Sequence, residues 1–241
     1  MKGDKSIISH KGVRKMRIID ASGPIYTGMW SYGDPFPEFK LVDIKEPEWV
    51  KEFSPKSQAF EGFCMLTGTY IDGPSHAFGL EKEDPMHKLP LEKIFDVDAY
   101  VLKFDLIKLS KEGKRPYITL NDVKKAEKEE IPNGAPIILS TGWGQHWTKP
   151  DFLTDAWFLR KDAAEYFASK KPILLGFDTP YADNIENEQG NWLILYGEGI
   201  TLLAPLINTE EIIKYKVKLY VCPLNILNTT GLPCRAVIKE E

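Results

Sequence analysis

"LTGTYIDGPSH" (residues 66–76) opens like a strand, sets a phenol, a carboxylate and an imidazole within a few positions, and closes on Gly-Pro. Side chains alternate along an extended segment, so Cys64, Leu66, Tyr70 and Asp72 should share one face, with Gly68 leaving room between them. Gly73-Pro74 then ends the regular structure and should swing His76 round near Asp72 at the rim. A carboxylate beside an imidazole is an acid/base pair, because the acid fixes the ring's tautomer and raises its basicity. The same residues have a structural reading as well, in which Asp72 caps a turn, Tyr70 is half buried and His76 sits on the surface.

Outward from this stretch the chain alternates apolar runs with helical patterns. "RIIDASGPIY" (17–26) reads as a strand and turn, and "VDAYVLKFDL" (97–106) as a β-rich alternating segment. "PIILST" (136–141), "PILLGFD" (172–178) and "VKLYVCPL" (217–224) are short apolar runs bounded by turn signals, the pattern of buried strands. Thr119 with Asp122 forms a capping box before "LNDVKKAEKEE" (120–130), and Asn133-Gly134 supplies a stop. "RKDAAEYFASKK" (160–171) has apolar residues at helical spacing, and Asn208 with Glu211 predicts a helix over "TEEIIKYK" (209–216). Such alternation predicts an α/β domain whose sheet is at least partly parallel. "WSYGDPFPEF" (30–39) sets aromatic residues among Gly and Pro and reads as a covering loop. The polar, basic residues 1–15 lack an apolar period and read as a loose extension, leaving a single domain over 16–241.

Bulk properties narrow the partners. The 241 residues carry 31 basic and 35 acidic side chains, for a net charge of −4, which recommends neither nucleic acid nor an anionic membrane. No apolar run approaches the roughly 20 residues of a membrane span, and no signal-peptide core is present, so a soluble cytoplasmic protein acting on a small molecule is expected. The three cysteines, Cys64, Cys222 and Cys234, form no CxxC pair, which argues for reduced thiols. Cys64 could be a nucleophile, but a lone cysteine in a strand is more often an inert hydrophobe. Trp30, Trp143 and Trp147 could wall a pocket for a flat ligand, or simply fill the core.

The quoted stretch resembles the His-x-Gly-Thr-His-x-Asp-x-Pro-x-His signature of the cyclase family, to which bacterial kynurenine formamidases belong. The resemblance continues in order through "IIDASGPIYTGM" (18–29), "PIILSTGWGQHW" (136–147), "LLGFDTPYAD" (174–183) and "CPLNILNTTGLPCRAV" (222–237). It implies a swivelling β/β/α fold, a barrel-like mixed sheet flanked by helices, and assembly as a homodimer or homotetramer in which the N-terminal aromatic loop reaches a neighbour's pocket. It also implies hydrolysis of an amide, lactone or cyclic carbonyl compound.

The departures from the family pattern bear on the chemistry. Metal-dependent members bind zinc or manganese through the two motif histidines and the aspartate, completed by a later His and Glu. Here the motif positions are Leu66, Tyr70 and Asp72, and "NWLILYGEGITLLAPLIN" (191–208) holds no histidine, with Ala204 at the glutamate's place and Asn191 or Trp192 at the histidine's. Leu and Ala offer no lone pair and a neutral Tyr is a poor zinc ligand, so the expectation is no metal and no cofactor. A hybrid zinc or manganese site from Asp72, His76 and His146 is the alternative. The reading taken is a metal-independent acid/base enzyme in which His76 is the general base, Asp72 orients it and Tyr70 polarises a carbonyl, beside Trp30, Leu66, Trp143, His146 and Cys64 as pocket residues. A non-catalytic, ligand-binding pseudoenzyme is the other reading.

Overall fold

Four segments that the sequence offers as strands, "VKLYVCPL", "VDAYVLKFDL", "PIILST" and "PILLGFD", lie side by side; the last two are buried through their strand residues and covered on both faces, whereas the first alternates buried and exposed positions. The computed structural model describes residues 16–50 and 56–240, so the expected loose extension at 1–15 lies outside the described residues. In chain order the strands are β1 (Arg17–Asp20), β2 (Lys40–Ile44), β3 (Ser57–Glu61), β4 (Tyr70–Asp72), β5 (Phe95–Lys103), β6 (Lys111–Glu112) and β7 (Arg115–Ile118). They continue with β8 (Ile137–Ser140), β9 (Phe158–Leu159), β10 (Leu174–Phe177), β11 (Thr201–Ala204), β12 (Lys216–Pro223) and β13 (Gly231–Glu240). The α-helices are α1 (Pro74–Phe78), α2 (Leu120–Ala126), α3 (Lys161–Lys170) and α4 (Asn191–Gly197). None of the helices among the described residues is long and apolar enough to cross a membrane.

Strands β5, β8, β10 and β11 run parallel, and β4, β13 and β12 continue antiparallel until β12 meets β5. The sheet therefore closes into a seven-stranded barrel. Closure depends on β13 changing partners along its length: Gly231–Pro233 pair with β4, while Cys234–Lys239 pair with β12 and the last residues also take up β1. The mixed, barrel-like fold expected from the sequence is the one observed.

The period of two sorts side chains into two cores. Ile71, Val101, Ile138, Leu174, Leu203, Leu219 and Ile238 come from every barrel strand and meet in one cluster, which fills the lumen. Their alternate neighbours, among them Leu102, Ile137, Leu139, Leu175, Phe177, Leu202 and Ala204, face outward and pack with Trp157 and Phe167 beneath the helices. With Ile71 pointing in, Tyr70 and Asp72 must point out, towards α4 and the 30–39 segment.

Local signals held where capping decided them. Thr119 accepts from the Asp122 N–H while the Asp122 carboxylate accepts from the Thr119 N–H, and the helix stops at Ala126, before Asn133-Gly134. Helix α3 ends at Lys170. The helix predicted over 209–216 is not formed: Asn208 sits at φ +56 and turns its amide to the Asp20 carbonyl, and only a single 3-10 turn, Thr209–Glu211, follows before β12. Barrel pairing of Lys216 onward overrides the helical spacing.

Buried carboxylates tie the strand ends together. Asp178, at the end of β10, accepts from Thr141 N and Oγ1 (2.8 and 2.8 Å), Gly142 N (2.7 Å), Trp157 Nε1 (2.9 Å) and Thr209 Oγ1 (2.6 Å). Asp183 accepts from the N–H groups of Asn184, Gln189 and Asn191, which fixes the entry to α4. On the surface, an exposed two-pronged ion pair of Asp20 with Arg235 joins β1 to β13. Buried carboxylates persist when each lone pair meets a donor, and Asp178 meets that condition.

Candidate functional site

The outer face of β4 opens into a cavity of about 430 Å³. Its wall comes from four places: Tyr32 and Phe36 of the 30–39 segment, Leu66, Tyr70, Asp72 and His76 around β4 and α1, Tyr181 and Glu188 of the loop after β10, and Trp192 and Tyr196 of α4. The covering loop thus closes over the pocket of its own chain. Strand β4 is only three residues long, but β11 pairs with one edge and β13 with the other, so Tyr70 and Asp72 are held at a fixed two-residue spacing.

Asp72 is buried, and its Oδ1 accepts a hydrogen bond from the Tyr196 hydroxyl at 2.9 Å. Burial pushes its carboxyl up from an ordinary 3.8 to about 7, against the pull of the Tyr196 bond in the other direction. The Tyr70 and Tyr32 hydroxyls lie 2.9 Å apart, and Tyr32 also reaches the Pro180 carbonyl at 3.3 Å. Burial drives both phenols well above their ordinary range, and the neighbouring Asp72 adds to the rise, so both stay protonated. His76 is exposed at the rim, edge-on to Tyr196 at 6.4 Å, with Nδ1 3.5 Å from Thr230 Oγ1. Partial desolvation lowers its pKa below 6.5, so at neutral pH the ring is uncharged.

The expected Asp72–His76 pairing is corrected by this arrangement. Asp72 takes its hydrogen bond from Tyr196, and His76 turns to Thr230 instead. Gly68 explains a second correction: its φ of +77 breaks the pleat, and Cys64–Thr67 form a turn in which Thr67 N–H donates to the Cys64 carbonyl. Cys64 is therefore out of the main cavity and lines a smaller one with Trp30, while Leu66 borders both. Trp30 packs edge-on to Tyr32 and Trp147 and supports the wall from behind.

Trp143 and His146 do not reach the pocket. They stack on each other at 4.1 Å, the Trp143 indole donates to the Phe152 carbonyl, and His146 Nδ1 pairs with Asp151 at 3.0 Å. The 3-10 turn after β8 points them away from β4. The hybrid set of Asp72, His76 and His146 is accordingly not assembled, and among the described residues no group of three or more His, Cys, Asp or Glu is placed to hold a metal ion. Ala204 lies directly across from Tyr70, and Leu202 across from Asp72, so the strand beside the site offers hydrocarbon. The donor set does not fit a divalent cation.

Tyr32, Tyr181, Trp192 and Tyr196 were not singled out as chemistry by their sequence. Trp192 and Tyr196 stand four apart on α4, the spacing of one helical face, and this was the available signal.

A sequence profile of the Cyclase family matches residues 19–184. Kynurenine formamidase from Bacillus mycoides (strain KBAB4) is 25% identical over 231 residues, covering 92% of this chain and 96% of that protein. The kynurenine formamidase of Bacillus thuringiensis subsp. konkukian (strain 97-27) is 26% identical over 230 residues, with the same coverage of 92% and 96%. Among solved structures, an isatin hydrolase bound to the product analogue thioisatinate superposes with a TM-score of 0.74 at 22% identity, over 93% of this chain and 92% of that one. Isatin hydrolase A from Labrenzia aggregata, bound to benzyl benzoate, gives a TM-score of 0.77 at 18% identity over 93% of each chain. At these identities the superpositions establish a common fold.

Proposed function

The chain belongs to the cyclase family, and on that premise we propose that it is a small-molecule hydrolase that opens an amide, lactone or cyclic carbonyl compound by acid/base chemistry of its own side chains. The observation that carries this reading is a carboxyl whose titration burial moves up to about 7, in the same cavity as two mutually bonded phenols and an imidazole whose pKa is lowered. When the Tyr32 proton turns from the Pro180 carbonyl to the Tyr70 oxygen, the Tyr70 proton is freed for a substrate carbonyl, and the phenol chain strengthens that donor. Protonated Asp72, its Oδ1 engaged by Tyr196, supplies a second donor to the same oxygen; buried neutral acids and phenols stabilise developing oxyanions in this manner. His76 takes the proton of the attacking water, with Nδ1 towards Thr230 and Nε2 as the accepting atom. The proton then passes to the departing nitrogen or oxygen. The relatives named kynurenine formamidase support an amide substrate, and the hydrocarbon at positions 66, 202 and 204 supports chemistry that does not run through a metal.

A panel of aryl formamides, lactones and cyclic ketoamides tests the reading with purified, chelator-treated protein. Turnover should fall by about 10²-fold in Tyr70→Phe and by a similar factor in His76→Ala. Unchanged turnover in His76→Ala sinks the assigned base. The second reading, a binding protein without chemistry, is favoured by the lost ligand positions, and it prevails if no member of the panel turns over while ligands still bind.

A further inference from the structure

The acidic residues of the cavity have no cationic counterpart among its described lining residues. Asp72 lies at the base and Glu188 at the exposed edge, and between them stand the rings of Tyr32, Tyr181, Trp192 and Tyr196. Among the described residues, no Lys or Arg lines the cavity. Arg115 lies over Tyr181, 5.9 Å from the ring centroid, but it is 2% exposed and its guanidinium is committed to the Ala156 carbonyl, Asn184 Oδ1 and the Asp183 carbonyl. His76, the basic group among the described lining residues, has its pKa lowered by partial desolvation, which disfavours its charged form.

We propose that this pocket selects uncharged or cationic ring compounds and turns away ring compounds that carry a carboxylate. The inference concerns what the pocket binds and extends the catalytic reading of the same cavity. A carboxylate entering here gives up its water, finds no cation, and comes to lie near Asp72 and Glu188, so its desolvation is not offset. An ammonium group meets the negative faces of several aromatic rings and two acids, which offset its loss of water. An uncharged ring needs only the apolar walls and the phenol donors. Selection therefore works by repelling one class as much as by attracting another.

Three compounds with one ring system and different charges separate these contributions: indole, tryptamine and indole-3-acetate, titrated calorimetrically into the full chain at about pH 8, where Asp72 is ionised. Tryptamine should bind at least about tenfold more tightly than indole-3-acetate, with indole between them. Glu188→Gln, a surface substitution outside the proposed chemistry, should narrow that ratio by a few-fold through weaker tryptamine binding. Indole-3-acetate binding as tightly as tryptamine overturns the proposal, as does a ratio that Glu188→Gln leaves unchanged. Failure of all three to bind overturns it also. Because the titrations need no turnover, these outcomes are independent of the hydrolysis panel: selectivity can hold in a protein that cleaves nothing, and cleavage can occur in a pocket indifferent to charge.

Discussion

Replacing Asp72 by Asn should change the pH dependence of stability in a calculable way. The native carboxyl titrates at about 7, whereas the unfolded chain leaves it near 3.8. Between those values the folded protein holds a proton that the unfolded chain has lost, so stability is fully present below the lower value and declines as pH rises towards the upper one. At about 1.36 kcal/mol per pKa unit, the decline over the whole interval amounts to roughly 4 kcal/mol, of which roughly 3 falls between pH 5 and pH 8. Asn has the shape of the protonated acid, can still accept from Tyr196, and does not ionise. Urea unfolding of both proteins across this range should show the variant gaining on the wild type by roughly 3 kcal/mol as pH rises, whatever the offset at pH 5. Turnover should fall by about tenfold or more, since an amide N–H is a weaker donor to the developing oxyanion than a carboxylic acid. Parallel stability curves for the two proteins would refute the claim that a buried, protonated carboxyl sits at this position.

Two further outcomes follow from named contacts. The Tyr196 hydroxyl lowers the Asp72 pKa, so Tyr196→Phe should raise it and move the alkaline limb of the kcat profile to higher pH, while the acidic limb, set by His76, stays in place; an unmoved alkaline limb removes Asp72 as the protonated donor to the oxyanion. Asp178→Ala strips five donors, two of them fully buried, of their acceptor and should cost more than about 3 kcal/mol, read as a lower urea midpoint, with no selective effect on binding in the β4 pocket.

Much of the barrel could be read from the chain because its parallel strands are unbroken apolar runs, Ile137–Ser140 and Leu174–Phe177 among them, and because Thr119 and Asp122 cap a helix by purely local geometry. Tyr70, Asp72 and His76 were identified together because they lie within one turn of chain. Tyr196 was not, since its partner Asp72 is 124 positions away and nothing local marks a hydroxyl for a distant carboxylate. The segment "NWLILYGEG" (191–199) is apolar without a helical period, so α4, which brings Trp192 and Tyr196 to the site, carries no recognisable amphipathic stripe. His146 was misplaced for the converse reason: nearness to the end of β8 says nothing of which way a 3-10 turn will aim its side chains. At Gly68 a single positive φ undid the alternation on which Cys64 had been assigned to the face of Tyr70.

The Asp178 junction secures three loops without calling on any atom of the β4 pocket. Foundations and furnishings are thus mechanically separate here, and the side chains at 66 and 70 can be exchanged without touching the hydrogen bonds of that junction. A designer could therefore change what lines the pocket at those two places while the joint at Asp178 keeps all its hydrogen bonds.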